Sequence, residues 1–188
     1  MNNNRNWRGQ VFIGTSLDGY IARTDGSLEW LTEPLDLPHK TSSEPTHPAL
    51  VWETFYPTID TILMGRSTYD SVLGFSEWPF DDKRVIVLTS RHDLDDPRID
   101  TVNSLEGAVR RLDEVGAREV YIDGGRTIQA FLGAGLIDKL TVSVAPILLG
   151  GGRRLFGDLD GDLRLIVLGT HATDDGLVRT TYEVAVVG

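Results

Sequence analysis

The sequence predicts an α/β fold whose central sheet is largely parallel and finishes in antiparallel strands. Three observations carry that expectation. Short apolar runs at residues 10–14, 61–64, 84–89 and 120–122 alternate with stretches of helical period. Two of these runs end in glycine and pass at once into a helical pattern, at Met64-Gly65-Arg66-Ser67-Thr68 and at Asp123-Gly124-Gly125-Arg126-Thr127-Ile128. Beyond residue 139 the period changes to two. Leu140, Val142 and Val144 alternate with Thr141, Ser143 and Ala145, and Val178, Thr180, Tyr182, Val184 and Val186 alternate with their neighbours.

The elements follow in order. Residues 1–9 read as a polar, flexible tail, and 10–188 as a single domain. Residues 10–14 make a buried first strand. Residues 32–48, with Pro34, Pro38, Pro45 and Pro48, make a long loop. A helix is expected over 49–55, packing through Leu50, Trp52 and Phe55 and stopped by Pro57. A strand over 61–64 leads to a short helix over 67–73, and 84–89 is the next strand. Ser104 is placed to cap a helix whose apolar face is Leu105, Ala108, Val109 and Leu112, and Gly116 suits its end. Residues 120–122 form a strand, followed by a helix with Ile128, Phe131 and Leu132 on one face. An apolar run at 163–168 and the turn signal Asp174-Asp175-Gly176 complete the antiparallel finish.

Composition sets outer bounds. A chain of 188 residues can bury one sizeable core. A net charge of −10 argues against general nucleic-acid binding, which needs a basic face to replace phosphate counterions. Without cysteine there is no disulfide, no thiolate and no cysteine-ligated zinc, and a cytoplasmic location is the default. No apolar run nears the ~20 residues that cross a bilayer. His39, His47, His92 and His171 have no metal-ligand spacing, and residues 158–162 lack the terminal glutamate of a calcium loop, so no metal is expected.

The two glycine turns are candidate anion sites. Glycine lets a backbone approach closely, and a helix start offers unpaired N–H groups. Arg66, Arg91 (after Ser90) and Arg126 each follow a predicted strand, so they can share the carboxyl edge of the sheet, where open α/β sheets bind ligands. Gly150-Gly151-Gly152-Arg153-Arg154 reads as a chain reversal. The carboxylates available for proton chemistry are Asp18, Glu29 and Glu53.

Five segments together resemble the dihydrofolate reductase-like superfamily. They are Ser16-Leu17-Asp18-Gly19-Tyr20-Ile21-Ala22, Gly26-Ser27-Leu28-Glu29-Trp30-Leu31, Ile62-Leu63-Met64-Gly65-Arg66-Ser67-Thr68-Tyr69, Gly124-Gly125-Arg126, and Gly135-Leu136-Ile137-Asp138-Lys139-Leu140 through Ala145-Pro146-Ile147-Leu148-Leu149-Gly150. The nearest branch is the reductase domain at the C-terminus of the bifunctional riboflavin-biosynthesis deaminase/reductase, here in stand-alone form. The resemblance implies a three-layer fold, a mixed, mostly parallel sheet with helices on both faces, NADPH as hydride donor, and a homodimer.

It also implies site residues. The cofactor phosphates fall at Gly65, Arg66, Ser67 and Thr68 and at Gly124, Gly125, Arg126, Thr127 and Ile128. The ribose 2′-phosphate falls near Arg66, Thr89, Ser90 and Arg91, and the nicotinamide near Gly14, Ile21 and Ala22. Asp18, Trp30, Trp52, Glu53 and Phe55 border the substrate, with Asp18 or Glu53 as the catalytic proton source. The implied substrate is a ribosylamino-pyrimidine phosphate of the riboflavin pathway, then a folate or pterin; the rival is a nucleotide-binding protein without turnover. Folate reductases carry a carboxylate on the first helix, and residues 49–51 (Ala-Leu-Val) hold none. Riboflavin reductases carry a lysine in the first strand, where this chain reads Arg8-Gly9-Gln10-Val11.

Overall fold

The structure is a computed structural model that describes residues 5–32, 47–91 and 93–185. Most of the expected 32–48 loop, with Pro34, Pro38, His39 and Pro45, lies outside them, as do His92 and Val186.

The strands are β1 (Arg8–Ser16), β2 (Tyr20–Ala22), β3 (Thr61–Gly65), β4 (Arg84–Leu88) and β5 (Ile99–Val102), then β6 (Glu119–Asp123), β7 (Lys139–Ala145), β8 (Arg153–Arg154), β9 (Leu165–Ala172) and β10 (Val178–Val184). The helices are α1 (Glu29–Thr32), α2 (Trp52–Phe55), α3 (Arg66–Val72), α4 (Leu105–Glu114) and α5 (Gly125–Gly133). Among the described residues eight strands form one sheet in the order β5-β4-β3-β6-β1-β7-β10-β9, and β2 pairs with β8 in a separate ribbon. All neighbours from β5 to β7 are parallel, and β10 is antiparallel to both β7 and β9. This is the mixed sheet expected, with its antiparallel finish.

Strand alternation builds the layers. Ile62, Met64, Val85, Val87 and Tyr121 point to one face and pack with Phe55, Tyr69 and Val72 from the α2 and α3 side. Leu63, Ile86, Val120 and Ile122 point to the other and pack with Ala108, Leu112, Ile128 and Phe131 of α4 and α5. Each of these large side chains contributes about 1.5–3 kcal/mol when fully buried, so both helix layers are held by the apolar positions read from the sequence. Ser104 caps α4 by accepting from the Gly107 amide at 3.0 Å, and Gly116 leaves it at φ +66°.

Several expectations need correction. The flexible tail does not extend to residue 9: β1 begins at Arg8, Trp7 is 3% exposed, and Arg5 pairs with Asp138 through two bonds of 2.8 and 2.9 Å. The helix expected from residue 49 starts at Trp52. The amides of Ala49 and Leu50 are instead donated to His171 Nδ1 and Thr181 Oγ1, which holds them extended across β9 and β10. Gly169 of β9 makes the crossing possible, because a β-carbon there would fall 2.4 Å from the Pro48 carbonyl oxygen. Pro57 does not end the helix but sits early in a 3-10 turn, Tyr56–Thr58, that continues it. The short elements β2, β5, β8 and α1 had no signal strong enough to read. The run at 165–168 is apolar yet exposed, on the outer strand of the sheet.

Candidate functional site

Register brings the two glycine turns together. Met64 of β3 stands opposite Asp123 of β6, and Gly65 opposite Leu88 of β4, so the turns after β3, β4 and β6 share one carboxyl edge. They interlock. A β-carbon on Gly65 would lie 2.8 Å from Thr127 Oγ1, and one on Gly124 would lie 2.4 Å from Thr68 Oγ1. Gly124 also has φ +91°, a backbone that side-chain-bearing residues rarely adopt. Ile21 closes in from the side, its Cδ1 2.7 Å from the β-carbon position of Gly125. The amides of Gly125, Arg126 and Thr127 open α5 and have no intrahelical acceptor. These donors, two threonine hydroxyls and a backbone free of β-carbons fit a phosphate chain.

The predicted arginines behave differently from one another. Arg66 and Arg91 converge on one carboxylate: Asp93 accepts from Arg66 Nη1 at 2.7 Å and from Arg91 Nη2 at 2.5 Å. Arg66 also pairs with Asp70. The Arg66 and then the Arg91 hydrogen bond hold the Asp93 carboxyl below its ordinary value. Thr89 is buried and accepts from the Arg91 amide, while Ser67 and Ser90 are exposed at the rim. Arg126 is exposed on the same edge. A cavity of about 300 Å³ opens beside them, lined by Thr89, Arg91, Asn103, Gly107 and Arg110. Two guanidiniums already meeting on one anion beside a cavity can hold a phosphate dianion in the same way.

On the substrate side the sequence expectations are partly redistributed. Phe12 of β1, Trp52, Phe55, Tyr56 and Tyr121 form one aromatic cluster, with Trp52 stacked on Tyr56 at 5.1 Å and edge-on to Phe12 at 5.4 Å. Trp52 is 36% exposed and offers a wall. Phe55 is 1% exposed and stacked on Phe12, which makes it a core residue beneath that wall. Trp30 does not join this cluster; it is buried against Ala145 and Leu177, and its indole N–H has no hydrogen-bond partner among the described residues. Leu31, beside it, covers Gly14, its methyls 2.7 Å from the β-carbon position. Ala22 is buried at the β2–β8 pairing. Glu53 is exposed on α2.

Asp18 is a tie. It accepts from Ser16 Oγ at 2.6 Å and from the amides of Leu149 and Gly150 at 3.1 and 2.8 Å, joining the end of β1 to the loop after β7. The serine hydroxyl, helped by those amides, holds its carboxyl below the ordinary value. An acid so stabilised as the anion is a poor proton donor.

Asp123 has the opposite character, and the sequence reading passed over it. It ends β6 immediately before Gly124 and accepts from that residue's amide at 2.7 Å. Burial nevertheless pushes its carboxyl up to about 6. Its neighbour two positions back, Tyr121, donates its hydroxyl to the Phe12 carbonyl at 3.0 Å. The available signal was an ionisable residue closing an otherwise apolar strand directly ahead of a phosphate-type turn.

Comparison with known proteins agrees with this architecture. Residues 9–179 match the family described as the RibD C-terminal domain. The uncharacterized protein YwjB of Bacillus subtilis is 33% identical over 166 residues, covering 85% of this chain and 88% of YwjB. A solved structure from Shewanella sp. PV-4, provisionally assigned to riboflavin biosynthesis, is 36% identical with a TM-score of 0.79, covering 95% of this chain and 99% of that one. Dihydrofolate reductase from Enterococcus faecalis, solved with NADP(H), shares the fold at 17% identity and a TM-score of 0.66, covering 97% and 99%. The chain therefore belongs to the RibD C-terminal domain family and has the dihydrofolate reductase-like architecture.

Proposed function

We propose that this chain is an NADPH-dependent reductase of a small, flat, polar substrate, most closely 5-amino-6-(5-phosphoribosylamino)uracil of riboflavin biosynthesis. The observation that carries the reading is the interlocked pair of turns at Gly65–Thr68 and Gly124–Thr127 beside two arginines that share one anion. Membership of the RibD C-terminal domain family and likeness to the Shewanella structure assigned to riboflavin biosynthesis support the pathway.

When bound, NADPH supplies a hydride from C4 of its nicotinamide. The chain's own part is positioning and proton supply. Gly65, Gly124, Gly125 and the α5 amides would hold the pyrophosphate. Arg66 and Arg91, with Thr89 and Ser90, would hold the 2′-phosphate in place of Asp93, and the cavity at Asn103 and Gly107 would take the adenosine end. Gly14, Ile21 and Ala22 would border the nicotinamide, and Trp52 would wall the substrate. Asp123, neutral below about pH 6, would give its proton to the nitrogen or oxygen of the C=N or C=O bond being reduced. The reaction belongs in the cytoplasm. The exposed Leu165, Ile166, Val167 and Leu168 of the outer strand β9 are the surface we assign to a second copy in a homodimer.

The test is loss of NADPH absorbance on mixing with that pyrimidine or with dihydrofolate. The reading expects turnover of the pyrimidine and slower or no turnover of dihydrofolate. NADPH binding with no turnover of either would leave a nucleotide-binding protein.

A further inference from the structure

The sheet face beneath the substrate carries a cation that the chemistry above does not use. Arg179 of β10 stands directly opposite Ser143 of β7, and Ser143 stands opposite Gly14 of β1, so the three share one rung and one face. Strands lie about 4.8 Å apart, which puts the Arg179 backbone about 10 Å from Gly14. The guanidinium leans toward β1. Its carbon lies 5.0 Å from the centre of the Phe12 ring, and its Nε donates to Ser143 Oγ at 2.8 Å. Ser143 is 4% exposed and held in the sheet. The ring sets the plane of the fork and the serine sets its rotation. The two Nη groups have no acceptor among the described residues.

That is an exception in this chain. Every other partly buried arginine among the described residues pairs with a carboxylate: Arg5 with Asp138, Arg23 with Glu29, Arg66 with Asp70 and Asp93, and Arg111 with Asp100. A half-desolvated guanidinium costs free energy until its donors are met. In a chain with a net charge of −10, acids are plentiful, yet none among the described residues is paired with Arg179. On the far side of β1 the same face carries the carboxyl of Asp123, so a proton source and a fixed cation flank the position of Phe12 and Gly14.

We propose that Arg179 anchors the substrate: its free Nη pair takes a negatively polarised acceptor on a flat heterocycle, such as a carbonyl oxygen or a ring carboxylate. This rests on the reductase reading and names the substrate class for that site. A guanidinium presents only donors, so a ring edge that carries a carboxylate is taken in preference to one whose oxygens flank N–H groups. Ser143 is a positioning residue that acts through Arg179.

The test uses the full chain and two probes, orotate and uracil, which lacks the carboxylate, read by quenching of tryptophan emission; Trp52 lies 5.4 Å from Phe12 and reports on this face. Orotate is expected to bind in preference to uracil. Arg179→Gln weakens orotate by about 10- to 100-fold, the loss of a charge-assisted pair, Arg179→Lys recovers part of it, and Ser143→Ala costs less than Arg179→Gln. NADPH affinity stays unchanged in all three. Equal orotate affinity in wild type and Arg179→Gln, or preference for uracil, overturns the proposal. If thermal unfolding shows that Arg179→Gln does not fold, Arg179→Lys decides: a several-fold loss supports the fork, and an unchanged affinity overturns it. Failure of the wild type to bind NADPH would sink the reductase reading separately, because the orotate comparison does not depend on it.

Discussion

Thr127 Oγ1 stands 2.8 Å from the point that a β-carbon on Gly65 would occupy. Two turns separated by about sixty positions of sequence are thus fitted into one another, and neither can gain a methyl group without displacing the other. Gly65→Ala is expected to cost about 1–3 kcal/mol of stability through overpacking and to weaken NADPH binding. Thr127→Ala makes room, so the double variant recovers much of the stability. Urea unfolding of the four proteins measures the coupling; strict additivity would show that the turns do not touch.

Asp93 competes with the cofactor in this account. It bridges Arg66 and Arg91 at the place assigned to the 2′-phosphate. Asp93→Asn is expected to tighten NADPH by about two- to five-fold, in the range of exposed ion pairs, and to leave NADH unchanged. Equal tightening of both nucleotides would move the 2′-phosphate elsewhere.

The Asp123 carboxyl, raised by burial to about 6 from an ordinary 3.8, is more easily protonated folded than unfolded. Its favourable contribution is therefore whole below about pH 3.8 and is lost as pH rises through about 6. Asp123→Asn, neutral throughout, should gain on the wild type across that window by on the order of 3 kcal/mol. Urea unfolding at about pH 4 and about pH 7.5 reads the difference. Turnover should fall as pH rises through about 6 in the wild type and be largely lost at every pH in the variant.

The expected architecture survived because its signals were local and strong. The continuous apolar run Ile62, Leu63 and Met64, the cap at Ser104 and the glycines at the ends of β3 and β6 are each readable from a few adjacent letters. The errors came from contacts made at long range. The amides of Ala49 and Leu50 are diverted by His171 and Thr181, 122 and 131 positions away. Trp7 is buried against Phe131 and bonded to Asp113. Asp18 looked free for catalysis until the loop after β7 folded onto it. Arg179 and Asp123 owe their interest to neighbours on other strands, which no window of sequence contains.

The outer strand β9 exposes Ile166 at 53% and Val167 at 60%. Successive strand residues point to opposite faces, so both sides of this edge are apolar. The homodimer we assign to it predicts that Ile166→Lys with Val167→Glu shifts light-scattering mass from two chains to one. A wild type that is monomeric at every concentration would contradict the assignment.

The most direct measurement is titration of the purified chain with NADPH and with NADH, followed by quenching of its four tryptophans, in the wild type and in Arg66→Ala. The account predicts that NADPH binds far more tightly than NADH in the wild type. Arg66→Ala should erase about 10- to 100-fold of that preference by loosening NADPH alone. Binding of neither nucleotide, or a preference that Arg66→Ala leaves intact, would contradict it.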